Sequence, residues 1–468
     1  MAMSRFSILR KSAPAPVPAP AAGAGSLVPN PAPQRGSAES DQAGFRDRML
    51  DAKLRIHGRI IDEINLATVE KLPMKELRPQ IYELVAQHVV SEKLVLNAGE
   101  LGTFVDDILN EMTGLGPIEP LLKDESVNDI LINTHRQIYV ERRGSLELSD
   151  ARFKDEAHLI RIINKIVSTV GRRVDESQPM CDARLLDGSR VNVAIKPVAV
   201  DGPLVSIRKF SKRPYSMDRL VDINSLSKEM ATLLAVAVKG RVTVLVSGGT
   251  GSGKTTMLNA LSSYIDENER LITIEDAAEL QLQQPHVGRM ETRPPSIEGK
   301  GEIRQRELLK NALRMRPDRI IVGECRGEEA FDMLQAMNTG HEGSMTTVHA
   351  NTTRDALSRL EQMIGMAGYP MTIQSVRSQI TSAIRLVIQL QRLSDGKRRV
   401  TSISEISGIE GDVIQMQEIF KFNRVATLED GSIQGNFQAT GVRPKFLTEL
   451  ATRGLTVPTS YFDPAKLQ

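Results

Sequence analysis

The spacing of apolar residues divides the chain into stretches of different period. From Phe45 to about Met112 they recur at helical intervals: Leu54, Ile56, Ile60, Ile61 and Ile64, then Leu77, Ile81, Leu84 and Val85. Pro73 and the Asn97–Gly99 stretch punctuate this part, so the pattern predicts a small helical bundle over 43–112. From Val127 the pattern turns strand-like. Asp129–Asn133 and Gln137–Glu141 read as strands with Arg143-Gly144 as a turn. A helix is expected over Glu156–Val170, with short strands at 183–186, Arg190–Ile195 and Leu204–Arg208. These make a mixed α/β domain over 113–212, and the pattern lapses between Phe210 and Met217 as a linker would.

Beyond Asp218 short apolar strands alternate with helices, the rhythm that builds a parallel sheet. Helices are expected over Ser225–Val238, Thr255–Asp266, Gln305–Arg314, Glu328–Met337 and Thr353–Met366. The strands between them are Val242–Val246, Leu271–Ile274, Arg319–Val322 and Ser344–Val348. Two further strands, Leu386–Arg392 and Arg398–Ile406, flank Asp395-Gly396, a hairpin signal. This second α/β domain is expected over 213–425. Residues 426–468 read as a turn-rich C-terminal tail with one short helix near Pro444–Arg453.

Composition narrows the function classes. Residues 13–34 are mostly Pro and Ala and bury too little to offset their ordering entropy, so 1–42 is expected to be a disordered tail. The basic start, with Arg5, Arg10 and Lys11, is followed by no apolar core, which argues against a secretory signal. The longest apolar run, Ala231–Val238, is far too short to span a bilayer. Aromatics are 4% of the 468 residues and Trp is absent, which argues against stacking platforms for nucleic acid. Sixty basic and 58 acidic side chains leave a formal charge of +2, with no general pull toward nucleic acid or anionic lipid. Cys181 and Cys325 form no C-x-x-C pair and are expected as buried thiols.

The strongest chemical signal is Gly248-Gly249-Thr250-Gly251-Ser252-Gly253-Lys254-Thr255, a full G-x-x-x-x-G-K-[ST] phosphate loop. Its context is a β-branched strand before and a helix after. Glycines let successive N–H groups converge, and the helix N-terminus adds its partial positive charge. Lys254 would bridge the β- and γ-phosphates, and the Thr255 hydroxyl would ligate Mg2+. No N/T-K-x-D guanine reader lies downstream, which favours ATP. The nucleotide-binding set extends through Thr256.

Acids follow at strand ends. Glu275-Asp276 and Glu279 come after the strand Leu271–Ile274, and Glu324 comes after Arg319–Val322. A carboxylate at the carboxyl end of a parallel strand faces the ligand crevice. Glu324 stands where an acid would hold Mg2+ through water. His341 and His349 bracket a short strand; no third ligand has metal spacing, and a phosphate-sensing role fits better.

In order, the phosphate loop, "TIEDAAEL", "RPDRIIVGECRG" and "TGHEGSMTTVHAN" resemble the type II/type IV secretion ATPase superfamily. With "IEGKGEI" and "GRRVDESQPMCDARLLDGSRVNV" the chain looks closest to its CpaF/TadA branch, the Tad pilus assembly ATPases. The resemblance runs from about Gly114 to Phe422. It implies a RecA-like P-loop ATPase core, preceded by the smaller α/β domain and the helical bundle, with nucleotide between the two α/β domains. It implies ATP and Mg2+ as cofactors, Glu279 orienting the attacking water and Glu324 as the Walker B acid. His341 and His349 would be a histidine pair. Arginines of the first α/β domain would reach the γ-phosphate; Arg208 and Arg190 match that strand region, and Arg184 is a weaker match.

The resemblance further implies a homo-hexameric motor at the cytoplasmic face of an inner membrane, coupled to integral platform proteins, with neither nucleic acid nor a membrane span of its own. It would hydrolyse ATP to power pilus assembly, by extension with retraction left open, or secretion. The rival readings are a type IV secretion export ATPase, a nucleotide-dependent scaffold with little turnover, and a small-molecule kinase, for which no acceptor pocket or lid is evident.

Overall fold

The computed structural model describes residues 49, 51–60, 73–142, 144–185, 187–210, 214–293, 295 and 300–466. The expected tail over 1–42 lies outside them, as do the first three residues of the "IEGKGEI" stretch. The chain forms two units, Met1–Arg55 and Ile56–Gln468. Of the first, residues 49 and 51–55 are described, and they are helical.

Two helices open the second unit. α1 (Met74–Ser91) starts directly after Pro73, whose fixed φ suits a helix start. It buries Leu77, Ile81, Val85 and Val89 on one stripe. α2 (Ala98–Thr113) is set by a capping box: Asn97 accepts from the Glu100 backbone, and Glu100 accepts from that of Asn97. After a short helix α3 (Glu119–Lys123) comes a six-stranded antiparallel sheet. Its strands are β1 (Val127–Thr134), β2 (Gln137–Arg142), β3 (Ser145–Leu148), β4 (Met180–Arg184), β5 (Arg190–Ala194) and β6 (Leu204–Arg208). They lie in the order β3-β2-β1-β6-β5-β4. Helix α4 (Glu156–Thr169) covers one face, packing Leu159, Ile162, Ile163, Ile166 and Val167 on Ile130, Ile138, Val191, Val205 and Ile207.

Alternation along the strands sends polar residues to the other face. Pairing register there aligns one row across five strands: Glu141 opposite Asp129, Asp129 opposite Arg208, Arg208 opposite Arg190, and Arg190 opposite Arg184. Directly paired residues share a face, so an acidic half and a basic half lie side by side.

The second sheet has nine strands. After α5 (Met217–Asp222) and α6 (Lys228–Lys239) come β7 (Val244–Gly248), α7 (Lys254–Ser262), β8 (Leu271–Glu275), β9 (Val287–Glu291), α8 (Gln305–Ala312) and β10 (Arg319–Cys325). Then follow α9 (Glu329–Asn338), β11 (Met345–Val348), α10 (Thr353–Met366), α11 (Ile373–Ala383), β12 (Leu386–Arg392), β13 (Arg398–Glu410), β14 (Val413–Thr427), β15 (Ile433–Ala439) and α12 (Phe446–Ala451). The order is β15-β14-β13-β12-β7-β11-β10-β8-β9. From β12 to β9 neighbours are parallel, whereas β13–β15 extend the sheet antiparallel. Every residue of β7 and β8 is buried, as expected of strands covered on both faces.

Three readings need correction here. β9 was not expected, because Val287-Gly-Arg-Met-Glu291 is an edge strand with little buried surface to impose a pattern. Helix α11 was also not expected. The stretch read as a C-terminal tail carries the short helix expected there, α12, but also the unexpected strand β15, and together they place Phe437, Phe446, Leu447 and Leu450 in the core beside Phe420 and Leu234. Cys181 and Cys325 are both buried free thiols, as expected. Among the described residues no helix is long and apolar enough to cross a membrane, and no cluster has the make-up of a metal site built from His, Cys, Asp and Glu alone.

Candidate functional site: a phosphate loop under an arginine row

Strand β7 ends at Gly248, and α7 begins at Lys254. The loop between them turns through Gly251 (φ +68°) and Gly253 (φ +100°), left-handed positions that favour glycine. Gly248 is fixed by crowding: a Cβ there would stand 2.6 Å from the Leu390 carbonyl of β12. Gly249, Thr250 and Ser252 complete the loop; Lys254, Thr255 and Thr256 form the first turn of α7.

Lys254 Nζ donates to the carbonyls of Gly248 (2.9 Å) and Gly249 (3.1 Å) and lies 3.8 Å from Glu324 Oε1. Burial holds its pKa below the ordinary lysine value; Glu324 opposes that shift, and the Arg326 and Arg208 charges add to it. Arg208, though on the other sheet, is therefore electrically a neighbour of the loop lysine.

Two acids close the crevice from adjacent strands. Glu275 ends β8 and is 3% exposed. Its Oε2 accepts from the backbone N–H of Glu279 (2.7 Å) and Leu280 (2.9 Å), fixing the loop that carries Glu279. Burial pushes the Glu275 carboxyl up to about 7 against those two hydrogen bonds. Gly323 leaves room for it, since a Cβ there would stand 2.8 Å from Glu275 Cγ. Glu324, one residue on, pairs with Arg326, whose other nitrogen lies 3.2 Å from Asp276.

The arginine row faces these acids. Arg190 binds Asp182 through two nitrogens (3.1 and 2.5 Å). Asp182 raises its pKa, with Glu279 and Asp276 adding to the effect. Arg208 Nε lies 3.2 Å from Asp129, and Arg184 Nη2 lies 2.8 Å from Glu291 at the end of β9.

The two histidines do not meet. His349 directly follows β11 at its carboxyl end, on the phosphate-loop side, and is exposed. His341 precedes β11 at the amino end, with Nδ1 3.2 Å from the Ala336 carbonyl. A turn closed by the Ser344 N–H on the His341 carbonyl leads into β11, and the strand itself then separates the two histidines by roughly 15 Å, too far for both to reach one phosphate within a chain. Sequence reasoning set Glu275 among the strand-end acids of the crevice without a task of its own, and gave no role to Arg326, Arg392 or Arg398. Of these, only Glu275 and Arg326 sit beside residues that a motif marks.

Ser252 Oγ and Glu275 Oε1 are buried with no protein partner. Together with the cationic Lys254 and the Thr255 and Glu324 oxygens, they suit a polyphosphate with a hydrated divalent cation. The fold and the loop define a P-loop nucleotide-hydrolysing protein.

The sequence matches the Type II/IV secretion system protein family over residues 111–430, and the chain belongs to that family. A putative conjugal transfer protein of Mycobacterium tuberculosis is 36% identical over 309 residues, 65% of this chain and 87% of its own length. The type IV secretion system protein VirB11 of Bartonella quintana is 32% identical over 331 residues, 62% of this chain and 92% of its own. Among solved structures, the VirB11 ATPase of the Brucella suis type IV secretion system, in complex with sulphate, aligns at 27% identity with a TM-score of 0.34. That alignment covers 61% of this chain and 94% of that one. The pilus retraction motor PilT with bound ADP aligns at 21% identity with a TM-score of 0.46, over 62% and 80%. The chain is an ATPase of this secretion-system family, with ATP and Mg2+ as its nucleotide and metal.

Proposed function

We propose that the chain is the hexameric motor of a Tad-type pilus assembly machine, working at the cytoplasmic face of an inner membrane against integral platform proteins. The observation that carries the mechanism is the 2.8 Å ion pair between Arg184, in the arginine row of one sheet, and Glu291 of the other, which sets the row against the loop that carries Glu279. ATP bound in the loop meets Lys254 and the backbone donors of 248–256 on one side. On the other side it meets guanidinium groups of the arginine row. Thr255 and Glu324 would hold Mg2+, which when bound neutralises phosphate-oxygen charge.

Glu279 orients the attacking water, and its loop is held by Glu275. His349 lies at the same strand ends and senses the phosphate. His341, at the far end, takes no part in the same site.

Arg208 and Arg190 contact the terminal phosphate while it is present and return to Asp129 and Asp182 when it leaves. Differential contact with one phosphate then opens and closes the two α/β domains against each other. Around a ring, this motion displaces the platform and moves pilin subunits. The "IEGKGEI" segment supports the pilus branch. The relatives named for conjugal transfer and for type IV secretion favour a second reading, export of protein or DNA.

The Lys254→Ala variant expressed in cells separates the two. The pilus reading expects surface filaments to vanish while export and DNA transfer continue. Filaments that persist while export fails would replace it with the second reading.

A further inference from the structure

Two arginines outside the row reach the phosphate loop along a different strand pair. β12 runs parallel to β7, with Leu390 opposite Gly248. The β12–β13 hairpin therefore continues past the loop, and its base is the cross-strand pair Arg392 and Arg398. Arg398 Nε donates to the Gly251 carbonyl at 2.7 Å. Its Cδ would be 3.6 Å from a Cβ at Gly253, and Arg392 Nη1 3.8 Å from one at Gly251. Both guanidinium groups therefore stand at the rim of the loop.

The same two groups are held by the first sheet. Arg398 Nη2 lies 3.3 Å from Glu141 Oε1, and Arg392 Nη1 lies 3.6 Å from Glu141 Oε2. Arg392 Nη2 also donates to the Gly144 carbonyl in the β2–β3 turn. Glu141 is only 8% exposed. One buried carboxylate thus serves two guanidinium groups, leaving an excess positive charge that faces the loop.

Guanidinium forks bind phosphate and carboxylate by the same two-donor geometry. A polyphosphate in the loop brings several negative charges to within reach of donors that Glu141 now holds. A buried carboxylate stripped of its partners is costly, so it and its turn would shift or find water.

We propose that Arg392 and Arg398 are further nucleotide contacts shared between the polyphosphate and Glu141, and that Glu141 is a positioning residue competing with nucleotide for them. Loop occupancy is thereby coupled to the position of the β2–β3 turn. The proposal rests on the reading that the loop binds ATP. It adds a second coupling point, separate from the arginine row.

The test is the affinity of the full chain for MgADP, by calorimetry, with melting temperature recorded for each variant. Lys254→Ala serves as the control for the loop itself. Glu141→Gln should tighten MgADP binding about fivefold, as expected for loss of two partly exposed competing ion pairs. Arg398→Gln should weaken it by a similar factor. In the double variant the gain from Glu141→Gln should disappear.

A part that only supports the fold would instead lower the melting temperature and weaken binding together. Unchanged or weaker MgADP binding by a well-folded Glu141→Gln protein overturns the proposal, as does a full gain that survives Arg398→Gln. Should Glu141→Gln not fold, Arg398→Gln decides alone, and unchanged affinity overturns the proposal. If wild type and Lys254→Ala both fail to bind MgADP, it is the ATP-binding reading that fails.

Discussion

Arg184 on the edge strand of the first sheet and Glu291 on the edge strand of the second form an ion pair of 2.8 Å. Glu291 Oε2 also accepts from the Ala278 backbone at 3.2 Å, so the pair reaches the loop that carries Glu279. The contact spans the crevice at the end of the arginine row remote from Glu141.

Both side chains of this pair are about a third or more exposed (31% and 40%), so the contact adds little to stability. Arg184→Glu should cost under about 1 kcal/mol in unfolding free energy yet slow ATP turnover several-fold. Adding Glu291→Arg should restore turnover in part. Steady-state phosphate release by the single and double variants checks this. A double variant no better than the single one would show that the pair is incidental.

On the proposed mechanism the loop and the acid carry different parts of the reaction. Lys254→Ala removes the only cation that lies within the loop itself and should abolish both MgATP binding and turnover. Glu279→Gln keeps the loop and should retain MgATP affinity within about threefold while turnover falls at least about 100-fold. Equilibrium binding and single-turnover hydrolysis measured on both variants separate the roles. Wild-type turnover by Glu279→Gln would remove Glu279 from the mechanism.

Glu275 gives a pH dependence with a definite sign. It titrates near 4.5 when unfolded and at about 7 when folded. Between those values the folded chain holds a proton that the unfolded chain has released. Its contribution to stability is therefore present below about pH 4.5 and is lost as pH rises through 7. The full span is about 3 kcal/mol. Glu275→Gln should unfold at nearly the wild-type urea concentration at pH 5 and at a higher one at pH 8. A difference between the two proteins that does not change with pH would contradict this.

Gly323 tests the same contact sterically. Gly323→Ala places a methyl 2.8 Å from Glu275 Cγ and should push the carboxylate off the Glu279 and Leu280 amides. Turnover should fall about tenfold or more with nucleotide affinity nearly kept. Unaltered turnover would mean that the Glu275 brace is not needed.

The parts of this molecule that were legible in the sequence are those fixed by local rules. β12 and α10 fall at the expected bounds, since each is a continuous apolar or amphipathic segment with clear ends. The phosphate loop is written in its glycines. β9 and β15 were not legible, because an edge strand is specified by its neighbour more than by its own residues. The functional sites divide the same way. Glu324 and Glu279 follow recognisable strands, whereas Glu141, Arg392 and Arg398 meet only through the packing of two sheets whose sequences lie far apart. The two histidines were read as bracketing a short strand, and β11 does lie between them.

The central claim is that guanidinium groups of the first sheet act on the phosphate held by the second. Single-turnover hydrolysis of MgATP by Arg208→Ala, with MgADP affinity measured alongside, tests it most directly. Hydrolysis should fall at least about 100-fold while MgADP affinity changes less than about threefold, because the contact is made to the terminal phosphate alone. Hydrolysis at the wild-type rate by a folded Arg208→Ala protein would contradict the account.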